Sequence, residues 1–427
     1  MPPPPKARRL ASMRSPSPAG PRAPLSAVFL CGALLLLAIL LWPQVLRNLF
    51  PLQWQVGSLG PAAFFLSLAS GAAALWTWLA RQRVRDFSYR TFPTARHTFF
   101  ALGTSILSVG LLLGLAEIGL RIFHYPFRLG WTPPEYQISR FDRVLGWSYI
   151  PNLSTVQRFG SEGRPVSIYF DDMGSRVAAP ATRHSPATPT ALFVGCSYTF
   201  GHGLPFEETF VGRLAAMPGF PFQAINLGVQ GYGTDQSLLS LKQVLPKFNT
   251  QVVVYTFLLD HVKRNDNADR RFIFPKARFP GTKPRYSVDR GGSLRLVSTP
   301  RRYDEIPDCH VCDLLELFWT RWGPPPSMEL TRALVKDMKE YVESKGATFV
   351  LVLWTNPHRM DQDKLVQALF PGMSPNVVDT GAGAPPQFSQ WMIPGEIHPD
   401  ARAHAYVAHR IVAEFRVLGL LPKASSP

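Results

Sequence analysis

Three short stretches of this 427-residue chain hold residue types that do nucleophilic chemistry when a fold brings them together. The first is Gly195-Cys196-Ser197-Tyr198-Thr199-Phe200-Gly201-His202-Gly203, a serine in a glycine-flanked turn directly after the apolar run Thr190 to Val194. A serine held open at the end of a buried strand can act as a nucleophile; a turn serine can equally cap the helix that follows. The second is Asn226-Leu227-Gly228-Val229-Gln230-Gly231-Tyr232-Gly233, where a glycine N–H could donate to a developing oxyanion or form only a tight turn. The third, Gly395-Glu396-Ile397-His398-Pro399-Asp400, sets a histidine in a loop before the last helix. A lone loop histidine is most simply solvated, yet this one could take a proton from a serine on the first strand, with an acid nearby to fix its tautomer.

The elements that must position these stretches alternate. Apolar runs at Thr190 to Val194, Gln223 to Leu227, Gln251 to Phe257 and Thr348 to Leu353 suit strands buried on both faces. Helices are expected at Phe206 to Met217, Thr234 to Leu245, Met328 to Lys345, near Asp361 to Leu369, and from about Pro399 to Val417. Strands and helices in this order imply a mostly parallel sheet covered on both faces, with ligands beyond the carboxyl ends of the strands. Residues 125–189, rich in Pro, Gly and aromatics, are expected to be a lead-in packed on this domain, which spans 190–420. An insertion at about 264–326 is basic and Pro-rich, either a substrate-facing excursion or an ordered surface loop.

The order of strand-GxS, NxGxxG and acid-x-His-Pro resembles the SGNH or GDSL-type hydrolase superfamily. It is similar in particular to bacterial membrane-anchored members with a GxSxTxG first block and an NLGVxGYGTxQ second block, and the likeness covers about Ala191 to His409. The resemblance implies a three-layer α/β/α, flavodoxin-like domain with Ser197 as nucleophile and His398 as base. It further implies an oxyanion hole from the N–H groups of Ser197 and Gly228. Glu396, two residues before the histidine, is the expected triad acid. Two positions depart from the pattern: Cys196 stands where an Asp usually precedes the serine, and Leu259 stands where an Asn usually adds an oxyanion donor. Losing one such donor typically costs about 100- to 1000-fold in rate, which implies low activity or a substitute donor; Asn265 and His261 are nearby in sequence, which by itself does not place them at the site.

Cys309-His310-Val311-Cys312 could be a disulfide, a pair of free thiols or part of a metal site. A zinc site needs about four ligands, and no second cysteine pair exists, since Cys31 lies in an apolar run and Cys196 in the serine turn. A local disulfide suits an oxidising compartment. The chemistry expected here calls for no cofactor and no metal.

The charge has separate addresses. Formal net charge is +16, yet only 17% of residues are charged, against roughly 25% in an average soluble domain. Residues 1–24 hold eight prolines, five basic residues and no acid, and read as a disordered tail. Three apolar stretches follow within residues 25–124: Leu25 to about Val45, Pro61 to Ala80, and Thr98 to about Leu120. The first is too long for the usual signal-peptide core of about 7 to 15 residues, and about 20 apolar residues span a bilayer. A three-helix membrane anchor is therefore expected. Arg81, Arg83, Arg85, Arg90 and Arg96 crowd the segment between the second and third spans, against Asp86 alone, while Arg47 is alone in the first loop. Because Lys and Arg accumulate on the cytoplasmic side, the N-terminus is expected in the cytoplasm and the C-terminal domain in the periplasm or outside the cell. Glu117 and Arg121, four apart, read as a helix-face ion pair.

About +6 remains for residues 125–427, without a long basic run interleaved with aromatics, so nucleic acid is not an expected partner. The expected function is a serine esterase or O-acyltransferase at the inner (cytoplasmic) membrane. Its substrates would be acyl, notably acetyl, esters of cell-envelope carbohydrate. Transfer would need a partner membrane protein to deliver the acyl group, since three spans are too few for an acyl-importing channel. The alternative is a catalytically weakened domain that binds envelope polysaccharide and serves assembly.

Overall fold

The computed structural model describes residues 71–72, 75, 78–79, 95–123, 137–274, 279–322, 326–355, 370 and 376–422. The basic tail, the first expected span, most of the second and the expected helix at 361–369 lie outside the described residues. The chain divides into two compact units, residues 1–122 and 123–427.

In the first unit, helix α1 (Ala95–Ile122) contains the largely apolar stretch Gly103–Ile122, none of which is buried. Twenty residues rise about 30 Å in a helix, the thickness of a bilayer's hydrocarbon. Among the described residues this is the one helix long and apolar enough to cross a membrane. Arg121 Nε donates to Glu117 Oε1 at 2.7 Å, so these two charges pair along the helix face.

The second unit is an α/β domain. Its elements are β1 (Ser139–Asp142), β2 (Gly146–Tyr149), β3 (Ser154–Phe159), β4 (Arg164–Phe170), β5 (Arg176–Val177), β6 (Thr190–Gly195), α2 (Ser197–Phe200), α3 (Phe210–Ala215), β7 (Gln223–Gly228) and α4 (Thr234–Val244). There follow β8 (Thr250–Phe257), α5 (Asp260–Asp266), β9 (Arg285–Val288), β10 (Leu294–Ser298), α6 (His310–Trp322), α7 (Met328–Ser344), β11 (Thr348–Leu353), β12 (Val377–Asp379) and α8 (Ala401–Val417). The central sheet runs β12-β11-β8-β6-β7-β5-β4-β3. The first five strands are mutually parallel; β5, β4 and β3 continue the sheet antiparallel. Residues 154–177, within the expected lead-in, therefore extend the sheet of the domain.

Alternation of side chains along each parallel strand divides the core in two. Leu192, Val194, Val253, Tyr255 and Leu351 face helices α4 and α7, which bury Leu238, Leu241, Leu334, Val335 and Met338. Ala191, Phe193, Val252, Val254 and Val352 face α3 and α8, which bury Phe210, Leu214, Val407, Ile411 and Phe415. Each fully buried Val, Leu, Ile or Phe contributes roughly 1.5–3 kcal/mol, so strands apolar on both faces are the stable choice only between two helical layers. Helix α7 begins where Ser327 Oγ accepts from Leu330 N at 3.2 Å, and α8 where Asp400 Oδ1 accepts from Arg402 N and Ala403 N.

The insertion carries the β9–β10 hairpin, whose Tyr286, Val288 and Leu294 pack on the first half-core. It also sends Lys283 and Arg270, both fully buried, under the start of α4, where Lys283 Nζ donates to Asp235 Oδ2 and Arg270 Nε to Gly231 O at 2.9 Å. Cys309 and Cys312, at the start of α6, form a disulfide with 5.2 Å between their Cα atoms.

Candidate active site

The serine sits where β6 hands over to α2. Cys196 is the N-cap, with extended backbone and no side-chain cap bond, and Ser197 is the first helical residue. The first N–H groups of a helix lack helical acceptors, so the Ser197 amide is available to a ligand. The single turn closes at Gly201, in a left-handed conformation (φ +80°), where a Cβ would lie 2.1 Å from Thr209 Cγ2.

Two groups hold this turn from outside, and one of its own residues reaches out of it. Arg176, fully buried on β5, donates to Phe200 O at 2.6 Å, Gly201 O at 2.7 Å and Leu204 O, with its guanidinium 4.4 Å from the Phe200 ring centroid. Burial pulls its pKa down to about 10, which leaves it charged at neutral pH. Asn226 Nδ2 donates to Thr199 O at 2.9 Å. Tyr198 Oη donates to Ile397 O at 3.0 Å and so ties the serine turn to the histidine loop.

Across that tie, His398 Nε2 lies 3.0 Å from Ser197 Oγ, and His398 Nδ1 lies 3.3 Å from Glu396 Oε2. The other Glu396 oxygen accepts from Gly160 N at 3.2 Å. His202 and then His398, with the Gly160 N–H, hold the Glu396 carboxyl well below the usual carboxylate range against the opposing effect of burial. Burial and the neighbouring His202 push the His398 pKa down to about 4, against the pull of Glu396. At neutral pH the imidazole is therefore uncharged. With its Nδ1–H donated to Glu396, its Nε2 lone pair faces the serine hydroxyl, a geometry that can take a proton from the hydroxyl and return it to a leaving group. Asp400, on the far side of the histidine, is the cap of α8.

One expected donor is otherwise engaged. The Gly228 N–H donates to Asn226 Oδ1 at 2.9 Å, so it is not free for an oxyanion. Glycine is required there for packing: a Cβ would stand 2.3 Å from Phe200 N and 2.7 Å from Thr199 C. Asn226 thus joins β7 to α2 from both ends of its amide. Three residues on, the Gly231 N–H has no acceptor among the described residues. Of the two candidate substitutes for the missing Asn, Asn265 is committed elsewhere and His261 is fully buried. Asn265 bonds to Thr234 and Thr331, and His261 Nδ1 lies 2.8 Å from Tyr255 Oη. Leu259 is 44% exposed.

Sequence reasoning missed His202, although it lies inside the serine motif. Its ring is stacked on that of His398, with centroids 3.9 Å apart and planes 25° apart. Its Nε2 is 3.6 Å from Glu396 Oε2 and its Nδ1 is 2.6 Å from Gln230 Nε2. His202, Glu396 and His398 offer a possible donor set for a cation. Zinc needs both nitrogens about 2.0–2.1 Å away with lone pairs converging, whereas near-parallel stacked rings send their in-plane lone pairs side by side. The set suits a shared carboxylate better than an ion.

A cavity of about 200 Å³ opens beside the serine turn, lined by Tyr198, Leu259, Trp354, Phe388 and Trp391 with Thr355 at its edge. Tyr198 and Trp354 meet edge to face at 5.0 Å.

No protein-family model matches the chain, and no curated protein does. Among solved structures, the chain is similar to a lipase/acylhydrolase from Enterococcus faecalis at 15% identity, covering 56% of this chain and 100% of that one, with a TM-score of 0.33. It is similar to an acetylxylan esterase from Geobacillus stearothermophilus, represented by a catalytic mutant, at 14% identity over 54% of this chain and 96% of that one (TM-score 0.31). A lipolytic protein of the G-D-S-L family from Veillonella parvula is similar at 14% identity over 54% and 99% (TM-score 0.30). At this distance the likenesses assign no residue a role.

Proposed function

We propose that residues 123–427 form a serine ester hydrolase or O-acyltransferase. The observation that carries this is the unbroken line from Ser197 Oγ through His398 to Glu396, at 3.0 and 3.3 Å. Ser197 Oγ attacks the ester carbonyl as its proton passes to His398 Nε2, and Glu396 stabilises the imidazolium that forms. The tetrahedral intermediate collapses as His398 returns the proton to the departing alcohol oxygen. Water or a sugar hydroxyl then takes the acyl group from the serine by the same route reversed. The Ser197 N–H is the backbone donor offered to the oxyanion, the Gly228 N–H being held by Asn226.

The aromatic lining of the adjoining cavity supports a carbohydrate ester as substrate, since flat Trp and Tyr faces stack on the apolar faces of sugar rings. Helix α1 supports a membrane anchor, and the Cys309–Cys312 disulfide supports an oxidising compartment. Both fit an envelope-facing domain acting on acetylated polysaccharide, with a membrane partner as acyl donor if the reaction is transfer.

Labelling of the intact protein with a fluorophosphonate probe tests the chemistry. Covalent modification should map to Ser197, vanish in Ser197→Ala and fall with hydrolysis of p-nitrophenyl acetate. An unlabelled Ser197 in folded protein would refute it. A reporter that works only outside the cytoplasm, fused after Pro427, should be active; silence would reverse the orientation.

A second reading has its own observation: Leu259 brings no donor and the Gly228 N–H is taken. On that basis the domain would bind envelope polysaccharide with little turnover, and Ser197→Ala would keep both binding and biological function.

A further inference from the structure

His202 is a nearly buried titratable side chain that the proton relay above does not use. It is held on every side. The Arg176 guanidinium fixes the carbonyls of Phe200, Gly201 and Leu204 around it. The Phe159 ring meets its edge at 4.6 Å and 72°, and the His398 ring covers its face at 3.9 Å. Gln230 Nε2, 2.6 Å from Nδ1, donates to it, which places the ring proton on Nε2, facing Glu396 Oε2 at 3.6 Å. The opposite amide orientation would turn an imidazole lone pair toward a carboxylate, which is repulsive.

Two imidazoles therefore share one carboxylate oxygen while stacked on each other. We propose that His202 is a positioning residue: it fixes the Glu396 carboxylate and walls the face of His398, so that His398 has one productive orientation toward Ser197. This rests on the serine-ester reading and deepens it.

A neutral His202 leaves Glu396 as the counter-ion for the imidazolium that forms on His398. A cationic His202, stacked 3.9 Å away, would oppose that charge. The same two effects make His202 depress the affinity of His398 for a proton in the resting site, through its charge when protonated and by competing for Glu396. The other groups acting on His398 are Ser197 and Tyr198 on α2, Arg264 on α5 and His404 on α8. None of these shares its carboxylate.

The test uses the full-length protein and three chains: wild type, His202→Phe, which keeps a stacked ring without nitrogens, and His202→Gln, whose amide N–H can replace the Nε2–H. Fluorophosphonate labelling of Ser197 and p-nitrophenyl acetate hydrolysis are followed from pH 3.5 to 8. In His202→Phe, kcat should fall about tenfold or more with KM little changed, and the acid limb of kcat/KM should move up by about one pH unit. In His202→Gln, kcat should return to within about threefold of wild type. A purely structural role would lower yield or thermal stability without moving the limb. Wild-type kcat and an unmoved limb in His202→Phe would overturn the inference. If His202→Phe does not fold, a His202→Gln variant as slow as Ser197→Ala would overturn it. Failure of wild type to label at Ser197 is a different result and sinks the serine-ester reading itself.

Discussion

Exchanging Glu396 for glutamine tests the proton path, because it keeps the shape of the side chain and removes its charge. One carboxylate oxygen of Glu396 accepts from Gly160 N at 3.2 Å, and the other faces His398 Nδ1 at 3.3 Å. A glutamine that keeps the Gly160 bond turns its NH2, which can only donate, toward His398 and the His202 Nε2–H that faces the same oxygen, while one that turns its carbonyl to the two histidines sets its NH2 against the Gly160 N–H. In either orientation one donor loses its acceptor. The charge is lost as well. Opposite unit charges 3.3 Å apart attract by about 5 kcal/mol at an effective dielectric of about 20, and 1.36 kcal/mol corresponds to tenfold in rate. The expected fall in kcat/KM for Glu396→Gln is therefore about 10³- to 10⁴-fold. Glu396→Ala loses the same charge and should fall by a similar factor. Both are measured by p-nitrophenyl acetate hydrolysis and by the rate of fluorophosphonate labelling, with circular dichroism to confirm the fold. Glu396→Gln within tenfold of wild type would refute the assignment of Glu396.

Acid should weaken the fold through its buried histidines. Burial holds His398 at about 4, His404 at about 3 and His261 well below the ordinary value of 6.5. The unfolded chain binds protons below pH 6.5 that the native state refuses, so stability is full above that pH and falls as pH drops toward 4, by about 1.4 kcal/mol per pH unit for each histidine titrating. Urea unfolding at pH 7 and pH 5 measures this, and equal midpoints would contradict it. Gly228→Ala drives a methyl into the backbone of α2, which should cost about 3 kcal/mol or more and abolish Ser197 labelling; thermal melting and the probe read both. Cys309→Ser opens a disulfide that closes a four-residue loop, a constraint of about 2 kcal/mol in the chain-entropy model. Hydrogen exchange should quicken at the start of α6 while esterase activity stays within twofold.

The parallel half of the sheet was legible because its strands are apolar on both faces: TALFV, QVVVYTF and TFVLVL admit few other fates. Strand β12 was not, since three residues carry no period. The antiparallel half was hidden for a different reason. Only the buried side chains of β3 and β4 alternate, and β5 is two residues long; what commits β5 to the sheet is Arg176, a charge whose burial no hydropathy pattern foretells. At the site, Ser197, Glu396 and His398 are named by the motif resemblance, since a turn serine and a lone loop histidine have simpler readings by themselves; the structure brings the three side chains together. Gly228 was assigned a donor role that Asn226, two residues earlier, takes from it through a side-chain bond. His202 looked like any loop histidine, because nothing local in sequence shows which ring will stack on it.

The tie between Ser197 and His398 spans 201 residues of chain, and its consequence falls during synthesis. At about 5–20 residues per second, the serine is made roughly 10–40 s before its histidine. The nascent chain therefore lacks a general base for the whole of that interval, and nucleophilic activity can begin only once the last strand and final helix are in place. On the proposed mechanism, truncation between Ser197 and His398 leaves a chain with its nucleophile present and chemically silent.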